Sequence, residues 1–326
     1  MKFGPVPVAE ALGVILAHAV QAGETVLRKG QVLTAADIAA LQGAGLGHVT
    51  VARLDAGDLD ENAAAAKLAR SLAGDHVSVS AAATGRVNLF ADAAGIVSLD
   101  AAAIGRFNAV NPMITVATLP QYTRVAAGNM IATIKIISYA VPGADVDRAA
   151  GMAVALRILP PLYRTATLIE TQLGEAPSEK GREALAKRLS RFDVALDDRC
   201  LSPHEISGLS AALDTAKGEV IFILTASATS DIDDVGPAAL RAAGGTVSQF
   251  GMPVDPGNLL FLGDLRGRPV IGLPGCARSP ALNGADWVLE RVICGRSPAP
   301  DDFAAMGVGG LLKEIPDRPQ PRREIG

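Results

Sequence analysis

Residues 220–234 read Val-Ile-Phe-Ile-Leu-Thr-Ala-Ser-Ala-Thr-Ser-Asp-Ile-Asp-Asp, an apolar run that empties into small hydroxyl residues and then acids. Five consecutive apolar residues, Val220 to Leu224, suit a central strand covered on both faces. Thr225 to Asp234 is then the loop at that strand's carboxyl end. Asp234 is placed to cap a following helix that carries Pro237 in its first turn, where a missing N–H costs little. Two more small-residue loops, Pro253-Val-Asp-Pro-Gly-Asn258 and Gly272-Leu-Pro-Gly-Cys-Ala-Arg-Ser279, follow within the length of one α/β domain. That spacing puts three loops within reach of a single ligand.

The surrounding pattern alternates strand and helix, which predicts βαβ units and an α/β domain of three layers with a mostly parallel sheet over residues 161–297. Thr167–Thr171 and Val194–Leu196 read as strands. Leu185, Leu189 and Phe192 repeat at i, i+4 and i+7, the stripe of a helix lying on a sheet. Ser202-Pro-His-Glu205 has the form of a capping box with proline at the first helical position, ahead of Ile206, Leu209 and Leu213. Thr246–Phe250, Leu259–Leu262 and Val270–Leu273 complete the strands. Ser279-Pro280 is expected to open a helix through Leu282, Ala285, Leu289 and Val292.

Residues 1–160 read as a mixed α+β region, helical over 1–75 and strand-rich over 76–141. Val8, Leu12 and Ile15 recur at helical spacing, Thr34-Ala-Ala-Asp37 resembles a capping box, and Asp60–Leu72 is alanine-rich. Val77–Ser80 alternates as a strand does. Met130–Ile137 combines β-branched residues with a helix-like density of apolar side chains. Pro142-Gly143 and Pro160-Pro161 mark a boundary near 160. Residues 298–326 form a Gly/Pro/Arg-rich tail ending Arg318-Pro-Gln-Pro-Arg-Arg323, with the composition of a linker.

At 326 residues the chain exceeds one ordinary core, and two domains are expected. Hydrophobic residues at 49% and charged residues at 20% exclude a disordered chain. Aromatics at 4% and a net charge of −4 argue against nucleic-acid binding, which needs stacking surface and a basic excess. Cys200, Cys276 and Cys294 lack the spacing of a disulfide framework or zinc site, so reduced thiols are expected. The N-terminal sequence has no signal-peptide pattern, and no apolar run approaches the ~20 residues of a membrane span. A cytoplasmic protein without membrane contact is expected.

In an open parallel sheet, ligands bind where loops leave the carboxyl ends of strands. Gly and Ala let a backbone approach closely, Ser and Thr donate hydrogen bonds, and helix N-termini attract anions. Gly275–Ser279, with Arg278 beside a helix start, is a candidate anion seat. The same residues also serve ordinary βα turns. Asp231, Asp233 and Asp234 fit either helix caps or oxygen ligands for Mg²⁺ bridging to a phosphate. Cys276 is either a packed thiol or one activated at a helix start. The four histidines, His18, His48, His76 and His204, are scattered and none is read as catalytic.

Over residues 163–295 the order and spacing of the three loops resemble the molybdopterin-binding domain shared by molybdopterin adenylyltransferase and molybdopterin molybdenumtransferase. Thr225-Ala-Ser-Ala-Thr-Ser-Asp-Ile-Asp-Asp234 stands where that family has a hydroxyl residue, two glycines and an acidic segment. Asp255-Pro-Gly-Asn258 stands for its Pro-Gly-Lys or Pro-Gly-Arg, and Gly272-Leu-Pro-Gly-Cys-Ala-Arg-Ser279 for its Gly-Leu-Pro-Gly-Asn-Pro. Ala226 and Ser227 replace the paired glycines, Asn258 the basic residue and Cys276 the asparagine. These departures bear on turnover more than on binding.

A resemblance over nearly the whole chain rests on Leu27-Arg-Lys-Gly30, Gly85-Arg-Val-Asn-Leu89, Val116-Ala-Thr-Leu119, Gly251–Asn258, Gly275–Pro280 and Met306-Gly-Val-Gly-Gly310. It points to bacterial molybdopterin-binding proteins often fused to a module resembling molybdenum cofactor cytidylyltransferase. The nucleotide loop of that module is absent from these 326 residues, so cytidyl transfer is not assigned to them.

The resemblance implies binding of molybdopterin or molybdenum cofactor through its pterin phosphate and dithiolene. Contacts would come from Thr225, Ala226, Ser227, Thr229, Ser230, Asp255, Pro256, Gly257, Asn258, Pro274, Gly275, Cys276, Arg278 and Ser279. Asp231 and Asp234 are the candidate catalytic acids, with Asp234 as the candidate Mg²⁺ ligand. The alternatives are Mg²⁺-dependent adenylyl transfer to molybdopterin, nucleotide pyrophosphate hydrolysis as in competence-damage proteins, and a non-enzymatic scaffold. Expected partners are a cytidylyltransferase-like protein or a molybdoenzyme, and a second copy of this chain in a homo-oligomer.

Overall fold

Val220–Leu224 is a strand with all five residues buried, and the rest of its sheet follows from that. The computed structural model describes residues 1–312, so Arg318–Arg323 lies outside the described residues. The chain divides into two compact units, Met1–Ala93 with Val97–Ile158, and Ala94–Ile96 with the chain from Leu159 onward.

The second unit carries the three loops. In chain order its elements are β1 (Thr165–Gln172), α1 (Lys180–Leu189), β2 (Ala195–Leu196), β3 (Cys200–Pro203), α2 (Ile206–Thr215), β4 (Val220–Leu224), α3 (Val235–Ala242), β5 (Thr246–Phe250), β6 (Phe261–Leu265), β7 (Arg268–Gly272), α4 (Gly284–Ile293) and α5 (Pro300–Ala305). The sheet runs β2-β1-β4-β7-β6-β5, with β3 pairing β1 beyond β2. Four pairings, β1 with β2, β3 and β4, and β4 with β7, are parallel. The β7–β6 and β6–β5 pairings are antiparallel. The sheet is therefore mixed, and its antiparallel end forms because Arg266 and Gly267, both at positive φ, join β6 to β7 by a two-residue turn.

Ile169, Ile221, Ile223 and Val270 pack with Leu209, Leu213, Ala239 and Leu240 in one core on the α2–α3 face. On the other face Gly181 of α1 approaches Leu224 so closely that an added Cβ would lie 2.6 Å from Leu224 Cδ2.

Several helix boundaries differ from the sequence reading. Ser202-Pro203 ends β3 rather than capping a helix, because Ile169–Gln172 claims its backbone in a parallel pairing. The helix begins at Ile206 behind Glu205, which makes no side-chain cap bond. Ser279-Pro280 does not open α4, which begins at Gly284 behind a capping box formed by Asn283 and Asp286. Two buried residues decide that start, since Asp286 Oδ2 accepts from the Asn283 N–H and Asn283 Oδ1 from the Ala285 N–H. Pro300–Ala305 is a helix, and Phe303, Met306 and Leu312 are buried.

The first unit is more β-rich near its start than the pattern predicts. Lys2–Pro7 and Ile15–Leu16 pair antiparallel with His48–Arg53, and only Val8–Glu10 makes a helical turn, of 3-10 type. Pro5 and Pro7 lack N–H donors and Gly13 takes φ +75°, so the helical spacing of Val8, Leu12 and Ile15 has no helix to serve. The predicted capping box at Thr34 is present ahead of Ala35–Gly43, and Asp60 caps Glu61–Leu72. That second helix buries Ala64, Ala65, Leu68, Ala69 and Leu72. They share a core with the four-stranded antiparallel sheet of Ile114–Thr118, Met130–Ile136, Arg86–Ala91 and Val77–Val79. Met130–Ile136 is thus a strand, where its β-branched residues outweigh its apolar density. Among the described residues no helix is long and apolar enough to cross a membrane.

Candidate functional site

The register of the sheet gathers the three loops at one edge. Gly272, the last residue of β7, pairs with Ile223 near the end of β4 and with Phe261, the first residue of β6. The loops after β4 and β7 therefore leave this edge, and the loop from β5 into β6 turns over at it. The loop after β1 opens here as well, because Glu170 pairs with Leu224.

The first loop is held from inside. Thr225 Oγ1 donates to the Ser227 carbonyl at 2.7 Å and lies 3.1 Å from Thr229 Oγ1, both threonines being buried. Their hydroxyls shape the loop, which leaves Ala226, Ser227 and Ser230 exposed along its rim. Asp234 Oδ1 accepts from the Val235 N–H at 2.7 Å and Oδ2 from the Ser230 N–H at 3.0 Å. It is the helix cap that the sequence allowed. Asp231 accepts from the Asp233 N–H, and Asp233 pairs with Arg241 at 2.6 Å. Among the described residues no three His, Cys, Asp or Glu side chains are grouped to hold a metal ion. With both Asp234 oxygens turned onto backbone N–H groups, this donor set fits a cap better than a Mg²⁺ site.

The third loop meets the first through Arg278. Its Nη2 donates to the Thr225 carbonyl at 3.0 Å, so one guanidinium joins two loops. Gly275–Arg278 is a single 3-10 turn rather than the start of α4, which displaces the anion seat expected at a long helix N-terminus. Gly275 and Ser279 are exposed, Pro274 is buried, and Cys276 and Arg278 are half-buried. None of the three cysteines forms a disulfide.

Arg188 fixes this loop from beneath. The side chain, 4% exposed, donates to the carbonyls of Ala277, Ser279 and Ala281 and pairs with Asp286 at 2.7 Å. A guanidinium donates in a rigid fork, so these bonds set the loop's path.

The second loop is anchored to the start of α4. The Pro256 carbonyl accepts from the Gly284 N–H at 2.7 Å, and a Cβ on Gly257, at φ +141°, would come within 2.8 Å of Gly284. Only glycine permits that approach. Asp255 exchanges backbone hydrogen bonds with Gly310 and Leu312, which ties the Met306–Gly310 segment to this loop. Asn258 is exposed.

Four residues at this edge, Glu170, Thr171, Arg188 and Arg199, escaped the sequence reading. Glu170 is 1% exposed; its Oε2 accepts from Arg199 Nε at 3.0 Å, while Oε1 is buried without a partner. Arg199 also binds Glu179 and the Pro177 carbonyl, which fastens the loop after β1. Thr171 Oγ1 accepts from the Ala226 N–H at 2.8 Å and lies 2.9 Å from His204 Nδ1. The rule that ligands gather at strand carboxyl ends could have found Thr171, the end of the predicted Thr167–Thr171 strand. Glu170 and Arg188 gave no signal, because nothing local marks a buried charge whose partner is distant in sequence.

Fold and edge together define a mixed α/β domain with loops clustered at the carboxyl edge of its sheet, a class in which such loops form small-molecule sites. A family model described as a domain of unknown function, DUF8806, matches residues 5–53. No curated protein matches the chain. Among solved structures, a molybdopterin biosynthesis MoeA protein from Pyrococcus horikosii is similar at 15% identity, with 91% of this chain and 76% of that one covered and a TM-score of 0.31. A molybdenum cofactor biosynthesis protein from Pyrococcus furiosus is similar at 13% identity, with 92% of this chain and 66% of that one covered and a TM-score of 0.26.

Proposed function

We propose that the second unit binds molybdopterin or molybdenum cofactor on the loops 225–234, 253–258 and 274–279, for cofactor maturation or handover. The observation that carries this reading is the Arg278–Thr225 tie. It draws the first and third loops together with a guanidinium between them and the rim residues Ala226, Ser227 and Ser230 exposed. A phosphate ester suits the remaining donors of that guanidinium and the backbone N–H groups of an exposed small-residue loop. The second loop, with Asn258 exposed, would meet the pterin. The motif order of the sequence supplies the ligand class.

Binding is favoured over nucleotidyl transfer. Transfer needs acids free to hold a cation, whereas Asp234 is committed to two backbone N–H groups. A handover partner and self-association belong to the same proposal.

The test is to purify the protein from a molybdenum-replete host under anaerobic conditions and identify what it releases on denaturation by mass spectrometry. Release of molybdopterin or its molybdenum adduct in near-stoichiometric amount is expected. A nucleotide product formed from added ATP, and lost with Asp234→Ala, would favour the transferase reading.

A further inference from the structure

The first peptide of the loop after β4 is clamped on both sides. The Thr225 carbonyl accepts from Arg278 Nη2, and the Ala226 N–H of the same peptide unit donates to Thr171 Oγ1 at 2.8 Å. In a trans peptide these two groups point in opposite directions. Arg278 thus stands on one flank of the loop, and Thr171 with His204 on the other.

The hydrogen count fixes the imidazole. Thr171 is 0% exposed, and its oxygen already accepts the Ala226 N–H. Its own proton needs an acceptor, since a buried hydroxyl without one is costly. Among the described residues His204 Nδ1, at 2.9 Å, is that acceptor. Nδ1 therefore carries the lone pair, and the ring proton sits on Nε2. His204 is half-buried, and its Nε2 is neither paired with a protein group nor among the buried unsatisfied atoms. It is a neutral N–H donor open at the edge where the loops gather. Its backbone is held too, by a 3.0 Å bond from the His204 N–H to the Gln172 carbonyl.

We propose that His204 is a specificity-determining residue of this site, donating from Nε2 to a neutral ring acceptor of the ligand, the pterin carbonyl. Arg278, on the opposite flank, takes the charged phosphate end. The pairing follows from chemistry: a guanidinium matches an anion, and a neutral imidazole N–H matches a carbonyl. Thr171 acts through His204 as a positioning residue. The inference rests on the proposed binding of a pterin, and its test separates the two.

The chain has only four histidines, so long-range ¹H–¹⁵N spectra of histidine-labelled full-length protein will resolve each ring. The free protein should show His204 as the Nε2–H tautomer, and Thr171→Val should lose that fixed state. On anaerobic titration with molybdopterin, the His204 ring signals should shift saturably while those of His18, His48 and His76 stay in place. His204→Ala, which strands the Thr171 hydroxyl and so lowers the thermal midpoint, should weaken binding about tenfold in protein that still folds, and His204→Gln should recover part of both losses. Saturable binding, followed by pterin absorbance, with the His204 signals unmoved would overturn the role of His204 and leave the binding reading intact. An Nδ1–H tautomer in the free protein would overturn the donor assignment. Absence of any saturable binding would overturn both.

Discussion

At the scale of single residues, charges buried at the loop edge hold geometry rather than exchange with solvent. Arg188 and Asp286 are both nearly inaccessible, and one guanidinium serves three loop carbonyls and a carboxylate. Removing one partner strands the other, so Asp286→Ala should cost about 3–5 kcal/mol of stability. Urea unfolding checks this, and a loss below about 1 kcal/mol would mean the pair is not the anchor described. Asp234→Ala removes only a cap and should cost about 1 kcal/mol.

Cys294 provides a pH test at the same scale. Burial pushes its thiol up to about 12, with Glu290 adding to the effect. An unfolded chain gives up that proton from about pH 8.5. The folded pKa is raised, so the stability is fully present below the unfolded value and is lost as pH rises toward 12. The wild type should therefore lose more stability than Cys294→Ala between pH 8 and pH 10.5 in denaturant titrations. Equal losses would contradict a buried neutral thiol.

At the scale of elements, how much the sequence tells depends on where an element's partners lie. Val220–Leu224 is readable because a strand covered on both faces needs no polar alternation, and all five of its side chains are buried. Ile223→Ala should cost about 2–5 kcal/mol by cavity formation. Thr34 is readable as a cap because its bond closes within three residues. Ser202-Pro203 and Ser279-Pro280 were misleading because pairing with β1, and a capping box four residues further on, outweigh local cap chemistry. The three loops could be found by composition, but the Arg278–Thr225 bond spans 53 residues and could not. Gly181 is a similar case, its need for glycine arising from Leu224. Gly181→Ala should destabilise by about 1–3 kcal/mol, as overpacking does, and pairing it with Leu224→Ala should relieve part of that cost.

At the scale of the whole molecule, two compact units divide the chain, and the proposed site lies wholly within the second. The motifs Leu27–Gly30 and Gly85–Leu89 belong to the first unit, so their presence bears on the resemblance and not on the geometry of the loops. The central claim is that the loop edge of the second unit binds a pterin phosphate through Arg278. The direct measurement is anaerobic calorimetric titration of the full-length protein with molybdopterin, beside Arg278→Ala. Saturable binding in the micromolar range or tighter is predicted, weakened at least about tenfold in the variant, as loss of a charge-assisted contact requires. No saturable binding, or equal affinity in both proteins, would contradict it.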